Sequence, residues 1–133
     1  AVNPVNYPEG SISFPFCNPS AGDVIAENNL CYARYDGYPI SPGHLLIIPF
    51  RHVAGFFDTT DEEQQALLSL IRDCRRLLDE RFHPDGYNIG VNVGEAAGQT
   101  VMHLHVHLIP RYSGDVENPR GGVRGVIPEK RIY

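Results

Sequence analysis

His103, His105 and His107 stand at every second position of the stretch Gln99–Arg111, with Leu104, Val106 and Leu108 between and after them. Alternation with a period of two is the strand signal. Residues i, i+2 and i+4 of a strand share one face, so the three imidazoles share a face opposite the three aliphatic side chains. At about 3.3 Å per residue the outer two rings lie roughly 13 Å apart. Pro110 lacks an N–H for the ladder, so the strand is expected to end there. Imidazole is neutral, nucleophilic or acidic near neutral pH, and three chemistries are open to the row. The rings could fill half-buried strand positions. They could ligate a metal, although three collinear rings fit one tetrahedral ion poorly. Or one ring attacks phosphorus while its neighbours manage charge and protons.

Composition narrows the setting. The chain has 133 residues and a net charge of −5, which suits one domain and argues against a general nucleic-acid binder. Cys17, Cys31 and Cys74 are an odd set without a CxxC pair, as in reduced cytoplasmic proteins. No apolar run approaches a membrane span, and the first residues carry no secretory pattern.

The elements that would position the histidines can be read in turn. Residues 1–13 form an extended arm and 113–133 a tail. Asp23–Glu27 and Leu30–Asp36 read as strands joined at Asn28-Asn29. Leu45–Pro49, an unbroken apolar run after the turn Pro42-Gly43, reads as a buried strand. Thr60-Asp61-Glu62-Glu63 is a capping box. Behind it Leu67, Leu70, Ile71, Cys74, Leu77, Leu78 and Phe82 make one stripe of a helix of about 20 residues. The helix ends near His83 before Pro84. Its stripe is expected to pack on Leu104, Val106 and Leu108, with Arg72, Arg75, Arg76 and Arg81 on the solvated side. Tyr87–Val93 reads as a half-polar strand pairing antiparallel with 101–109 through a glycine-bounded loop. The tail carries Arg120 and Arg124; it is either a flexible exit or an ordered segment turned towards phosphate or a second subunit.

The segment His103-Leu104-His105-Val106-His107-Leu108-Ile109, with Gly98-Gln99-Thr100-Val101 before it and Pro110-Arg111 after it, resembles the signature of the histidine triad (HIT) family of nucleotide hydrolases and transferases. The third histidine places the resemblance with the HINT- and Fhit-like branch. Uridylyltransferases and dinucleoside polyphosphate phosphorylases of the family carry glutamine there. Over residues 14–112 the resemblance implies an α+β fold: a five-stranded antiparallel sheet with one long and one short helix. It also implies a homodimer whose sheets join into a ten-stranded one.

The resemblance further implies hydrolysis at the α-phosphate of a purine nucleotide conjugate, either a dinucleoside polyphosphate or a nucleoside phosphoramidate. His105 would be the nucleophile, forming a nucleotidyl-histidine. His107 would assist with charge or a proton, and His103 would orient the site. Asn92, Gly98, Gln99, Thr100 and Val101 would ring the phosphate. Asp36, eight residues before His44, would accept the ribose hydroxyls, although an aspartate there also suits a turn. Phe16, and with it Pro19, would wall the base, and His44, counted among the substrate-binding residues, would steady the triad. No cofactor is implied, which leaves room for magnesium only as a counter-ion of the substrate. Bacterial relatives use two cysteines three apart for structural zinc, and here Phe14 occupies the first of those positions. Cys17, His52 and His103 alone make a poor closed site, so no metal is expected, and His52 is read as structural or surface. Two further functions compete: a nucleotide-binding module without turnover, and a metalloprotein using the histidine row. A membrane or nucleic-acid partner is not expected.

Overall fold

The computed structural model describes residues 16–133; the expected arm at 1–13 and Phe14 lie outside the described residues. Five strands form one antiparallel sheet: β1 (Ala26–Glu27), β2 (Cys31–Tyr35), β3 (Leu45–Pro49), β4 (Gly86–Val91) and β5 (Val106–Arg111). Their order is β1-β2-β3-β5-β4, with every neighbouring pair antiparallel. A single α-helix among the described residues, α1 (Asp61–Phe82), crosses one face. The short helical element takes the form of a 3-10 turn, Phe56–Asp58, just before it.

The helix starts where its cap directs. The Thr60 hydroxyl accepts from the Glu63 N–H, and the Glu63 carboxylate accepts from the Thr60 N–H. Arg51 Nη2–H donates to the same carboxylate at 2.7 Å, which holds Glu63 below its ordinary carboxylate range despite burial. At the other end His83 adopts a left-handed conformation (φ 53°) and closes the helix before Pro84. Leu67, Leu70, Cys74 and Leu78 bury against Cys31, Ala33, Leu45, Ile47, Leu104, Val106 and Leu108. Each fully buried leucine in that layer contributes roughly 1.5–3 kcal/mol. The sheet's alternation is therefore decided: odd positions of β2 and β3 and even positions of β5 face the helix. The opposite face carries Tyr32, Leu46 and Ile48, packed with Phe16 and Val101.

Several boundaries differ from the sequence reading. The 23–27 segment is a 3-10 turn (Ala21–Asp23) followed by a two-residue strand. β5 begins only at Val106, so His103 and His105 precede the strand, and it continues through Pro110 to Arg111. Pro110 is tolerated because β3 begins at Leu45, opposite Leu108, so no ladder donor is required of the proline on that side. Its carbonyl accepts from the Ser41 hydroxyl instead. The tail is held by its own contacts: Arg124 and Arg131 donate to backbone carbonyls of residues 118–131, and the Arg120 and Arg124 guanidiniums flank the Tyr133 ring. Neither arginine lines the cleft described below.

Candidate active site

The register places the chemistry on the sheet face away from α1. Arg34 pairs with Leu46, Leu46 with His107, and His107 with Gly90, so these four form one row across β2, β3, β5 and β4. A cleft of about 250 Å³ opens along this face, lined by Phe16, Asp36, Tyr38, Leu46, Asn92, Gly98, Thr100, Val101, His105 and His107.

Each triad ring has a different partner, and the partner sets its tautomer. His105 Nδ1 lies 2.9 Å from the His103 carbonyl oxygen. A carbonyl only accepts, so in the neutral ring Nδ1 holds the proton and Nε2 holds the lone pair. His107 is set by a two-step relay. The Ile40 N–H donates to His44 Nδ1 at 3.3 Å, so His44 carries its proton on Nε2. That Nε2–H donates to His107 Nδ1 at 2.9 Å, which leaves the His107 proton on Nε2. Asp36 Oδ2, 3.5 Å from His44 Nε2, adds a negative charge behind the relay. His107 is held down to about 4, first by burial and then by the His105 and His44 rings, so it is neutral at pH 7. His44 is lowered as well, by burial that outweighs the pull of Asp36.

Two expected contacts are reassigned by this geometry. His44, grouped with the substrate-binding residues, is 3% exposed and stands behind His107 instead of lining the cleft. Gln99, expected at the phosphate, is 4% exposed and uses its amide within the protein. Its Nε2–H donates to Ala54 O and Val101 O, and its Oε1 accepts from the Gly94 N–H. It braces the loop that presents Gly98 and Thr100. Gly98 sits at φ +93°, a backbone conformation that any other residue adopts with strain. Asp36 lines the cleft and also caps its own turn by accepting from the Tyr38 N–H.

His103 is fully buried and turned away from the cleft. Its Nε2–H donates to Pro49 O at 2.9 Å, so its Nδ1 lone pair faces Cys17 and His52. Burial is the first cause of its fall to about 4. The expectation of a poor metal site meets a different geometry here. Cys17 Sγ lies 3.4 Å from His103 Nδ1 and 3.5 Å from His52 Nδ1, and the two nitrogens are 3.1 Å apart. Tetrahedral zinc bonded at about 2.3 Å to sulfur and 2.0–2.1 Å to nitrogen would set such separations at roughly 3.3–3.6 Å. The three donors thus fit three corners of a zinc site. His52 was legible as a candidate only through its distant neighbours, since nothing near it in sequence points to a ligand.

The HIT domain family model matches residues 19–114. This chain belongs to the HIT family. The HIT protein is 38% identical over 102 residues to an AP-4-A phosphorylase of Mycobacterium tuberculosis, an alignment covering 76% of this chain and 52% of that enzyme. It is likewise 38% identical over 97 residues to the bis(5'-nucleosyl)-tetraphosphatase (asymmetrical) of Schizosaccharomyces pombe, covering 73% and 53%. The chain spans about half the length of these two relatives. Among solved structures, a Zn-bound histidine triad family protein from Mycobacterium smegmatis superposes with a TM-score of 0.72 at 36% identity, covering 82% of each chain. A HIT family member from Bacillus subtilis superposes with a TM-score of 0.68 at 35% identity, covering 75% of this chain and 74% of that one.

Tyr38, Leu46 and Arg34 were not singled out from the sequence. Tyr38 and Leu46 line the cleft, and Leu46 was hidden in an apolar run that reads as core on both faces. Only the strand register separates it from Leu45 and Ile47.

Proposed function

We propose that this HIT protein hydrolyses a nucleotide conjugate at its α-phosphate through a covalent nucleotidyl-His105. The observation that carries the reading is the His103 carbonyl fixed on His105 Nδ1, which leaves the Nε2 lone pair to a cleft-lining ring. In the first step Nε2 bonds to phosphorus and the bond from phosphorus to the leaving oxygen or nitrogen breaks. The His107 Nε2–H donates to the developing charge, and the leaving group takes up a proton. In the second step water attacks phosphorus, the P–N bond to His105 breaks, and a nucleoside monophosphate leaves. Gly98, Thr100 and Asn92 supply N–H, hydroxyl and amide donors to the phosphate, and Asp36 accepts from the ribose. The enzymes named among its relatives act on dinucleoside tetraphosphates, which supports that substrate class. Phosphoramidates share the first step. Neither step requires a cofactor, and magnesium enters only with a polyphosphate substrate.

The test is His105→Asn with a diadenosine polyphosphate and an adenosine phosphoramidate. Turnover should vanish while AMP binding persists; retained turnover would overturn the assignment. Phosphorolysis is the second reading, favoured by the likeness to a phosphorylase. Running the reaction with and without inorganic phosphate, and in ¹⁸O-labelled water, identifies which acceptor enters the product. Nucleotide binding without turnover of any conjugate would reduce the protein to a binding module.

The same reading includes a homodimer. β4 is an edge strand, and its exposed Ile89 adjoins exposed Leu68 of α1 across an apolar groove that also holds Ile71, Tyr87 and Leu108. Free, buried Cys31 and Cys74, their thiols pushed up to about 12, suit a reducing cytoplasm. Cys17, His52 and His103 would hold zinc, which reverses the sequence expectation. Bound there, the ion would supply a structural bridge between the 16–19 turn and the two histidine segments. Elemental analysis of the purified chain should find about one zinc, lost in Cys17→Ser together with several degrees of melting temperature. No zinc in the wild type would restore the original expectation.

A further inference from the structure

Arg34 breaks the pattern of its surroundings. It lies on β2 at a site-face position, paired with Leu46 of β3 and facing Phe16 and Asp23 of the 16–24 segment, on the sheet face that also carries Tyr32 and Leu46. It is 5% exposed, yet its guanidinium makes no hydrogen bond to another described residue. The Asp23 carboxylate stands 3.9 Å from Nη1, too far for a hydrogen bond, and is itself substantially exposed. The guanidinium carbon stands 6.0 Å from the centroid of the Phe16 ring. A guanidinium carries five N–H donors, and buried donors are nearly always matched. Arg34 does not itself line the cleft, but it stands against Phe16, which does, and a guanidinium held only by this long ion pair points to a ligand that supplies acceptors.

Its place identifies which part of the ligand. Phe16 touches the His105 ring (centroids 5.4 Å apart) and also stands beside Arg34. β2 and β5 are two strand spacings apart, about 10 Å, with Leu46 between Arg34 and His107. That is the span of a mononucleotide from its phosphate to the far edge of its base. With phosphate at His105 and ribose at Asp36, a base would rest on Phe16, Leu46 and Val101, with its far edge on the Arg34 side of Phe16.

We infer that Arg34 is a base-specificity residue that selects guanine over adenine, an inference that rests on the nucleotide reading of the cleft. Guanine presents O6 and N7 as adjacent acceptors, which a guanidinium meets with two N–H donors. Adenine offers N7 but sets its N6 amino donors against the arginine. Arg34 acts in binding and takes no part in bond making.

The test compares GMP, IMP, 7-deaza-GMP and AMP by calorimetry on the intact wild-type chain. IMP keeps both acceptors and should bind as GMP does. 7-deaza-GMP lacks N7 and should bind weaker, and AMP should bind about tenfold weaker than GMP or worse. Arg34→Met, checked for folding by its melting curve, should lose the GMP advantage while keeping AMP affinity. Arg34→Lys should keep part of it. Equal affinities across the wild-type series, or a preference for AMP, overturn the inference, and this holds even if Arg34→Met fails to fold. GMP preference without turnover of guanosine or adenosine conjugates leaves the inference standing and overturns the hydrolase. Equal turnover of matched guanosine and adenosine conjugates does the reverse.

Discussion

Acid should loosen this protein through His107 in a window that the site itself defines. The ring falls from an ordinary 6.5 to about 4, burial being the largest cause, followed by the His105 and His44 rings; Asp36 pulls the other way. Leu46 and Gly90, its neighbours across the ladder, bring no charge. Between those values the folded state binds fewer protons at this ring than the unfolded chain does. Stability is therefore fully present above about pH 6.5 and is lost as pH falls towards 4. A shift of this size is worth about 3 kcal/mol at most. The ring's open side on the cleft lets water recover part of the cost, so a loss of roughly 2 kcal/mol is expected. Imidazole ¹⁵N NMR reads the ring directly: His107 should titrate near 4 and, above that, carry its proton on Nε2. Urea unfolding between about pH 7.5 and 4.5 reads the energy, with His107→Asn losing roughly 2 kcal/mol less than wild type over that span. A midpoint above 6, or a proton on Nδ1, would refute both the burial argument and the relay from Ile40 through His44.

Three further outcomes follow from other parts of the molecule. Because His44 fixes the His107 tautomer, His44→Phe should lower kcat about ten- to a hundredfold with KM little changed; an equal rise in KM would make His44 a ground-state binding residue. Glu63→Ala removes the capping box and the Arg51 contact together and should cost about 1–3 kcal/mol in chemical unfolding, while activity measured well below the melting temperature stays near wild type. Leu68→Glu puts a charge in the groove beside Ile89 and should give a monomer by light scattering; an unchanged mass would place any dimer interface elsewhere.

Sequence patterns reached the scaffold well where one physical cause acted alone. The helix was legible because Thr60 and Glu63 state its start, Pro84 its end, and one leucine stripe its buried face. The histidine alternation correctly separated the helix-facing residues Leu104, Val106 and Leu108 from the triad. It is silent on what each ring does, because period two fixes only the side of the sheet. His103 points to Cys17 and His52, which are 86 and 51 residues away, and no local pattern carries that. Gln99 was misread for a related reason. A glutamine near a phosphate loop suits either a ligand or a brace, and the carbonyl of Ala54, distant in sequence, decides for the brace.

The three imidazoles differ because backbone atoms, not other side chains alone, anchor two of them and begin the relay to the third. A carbonyl fixed to a ring nitrogen forces the proton onto that nitrogen, as Pro49 does for His103 and His103 does for His105. A backbone N–H does the opposite, and Ile40 passes that opposite sense through His44 to His107. Adjacent members of the triad thus present a lone pair and a proton side by side, the pairing that attack and leaving-group assistance need. The pairing depends on Ile40 remaining an N–H donor. Ile40→Pro deletes that donor, frees His44 to turn its lone pair to His107, and should lower kcat as far as His44→Phe does while leaving the melting temperature closer to wild type. A proline variant with full activity would show that the tautomers are set elsewhere.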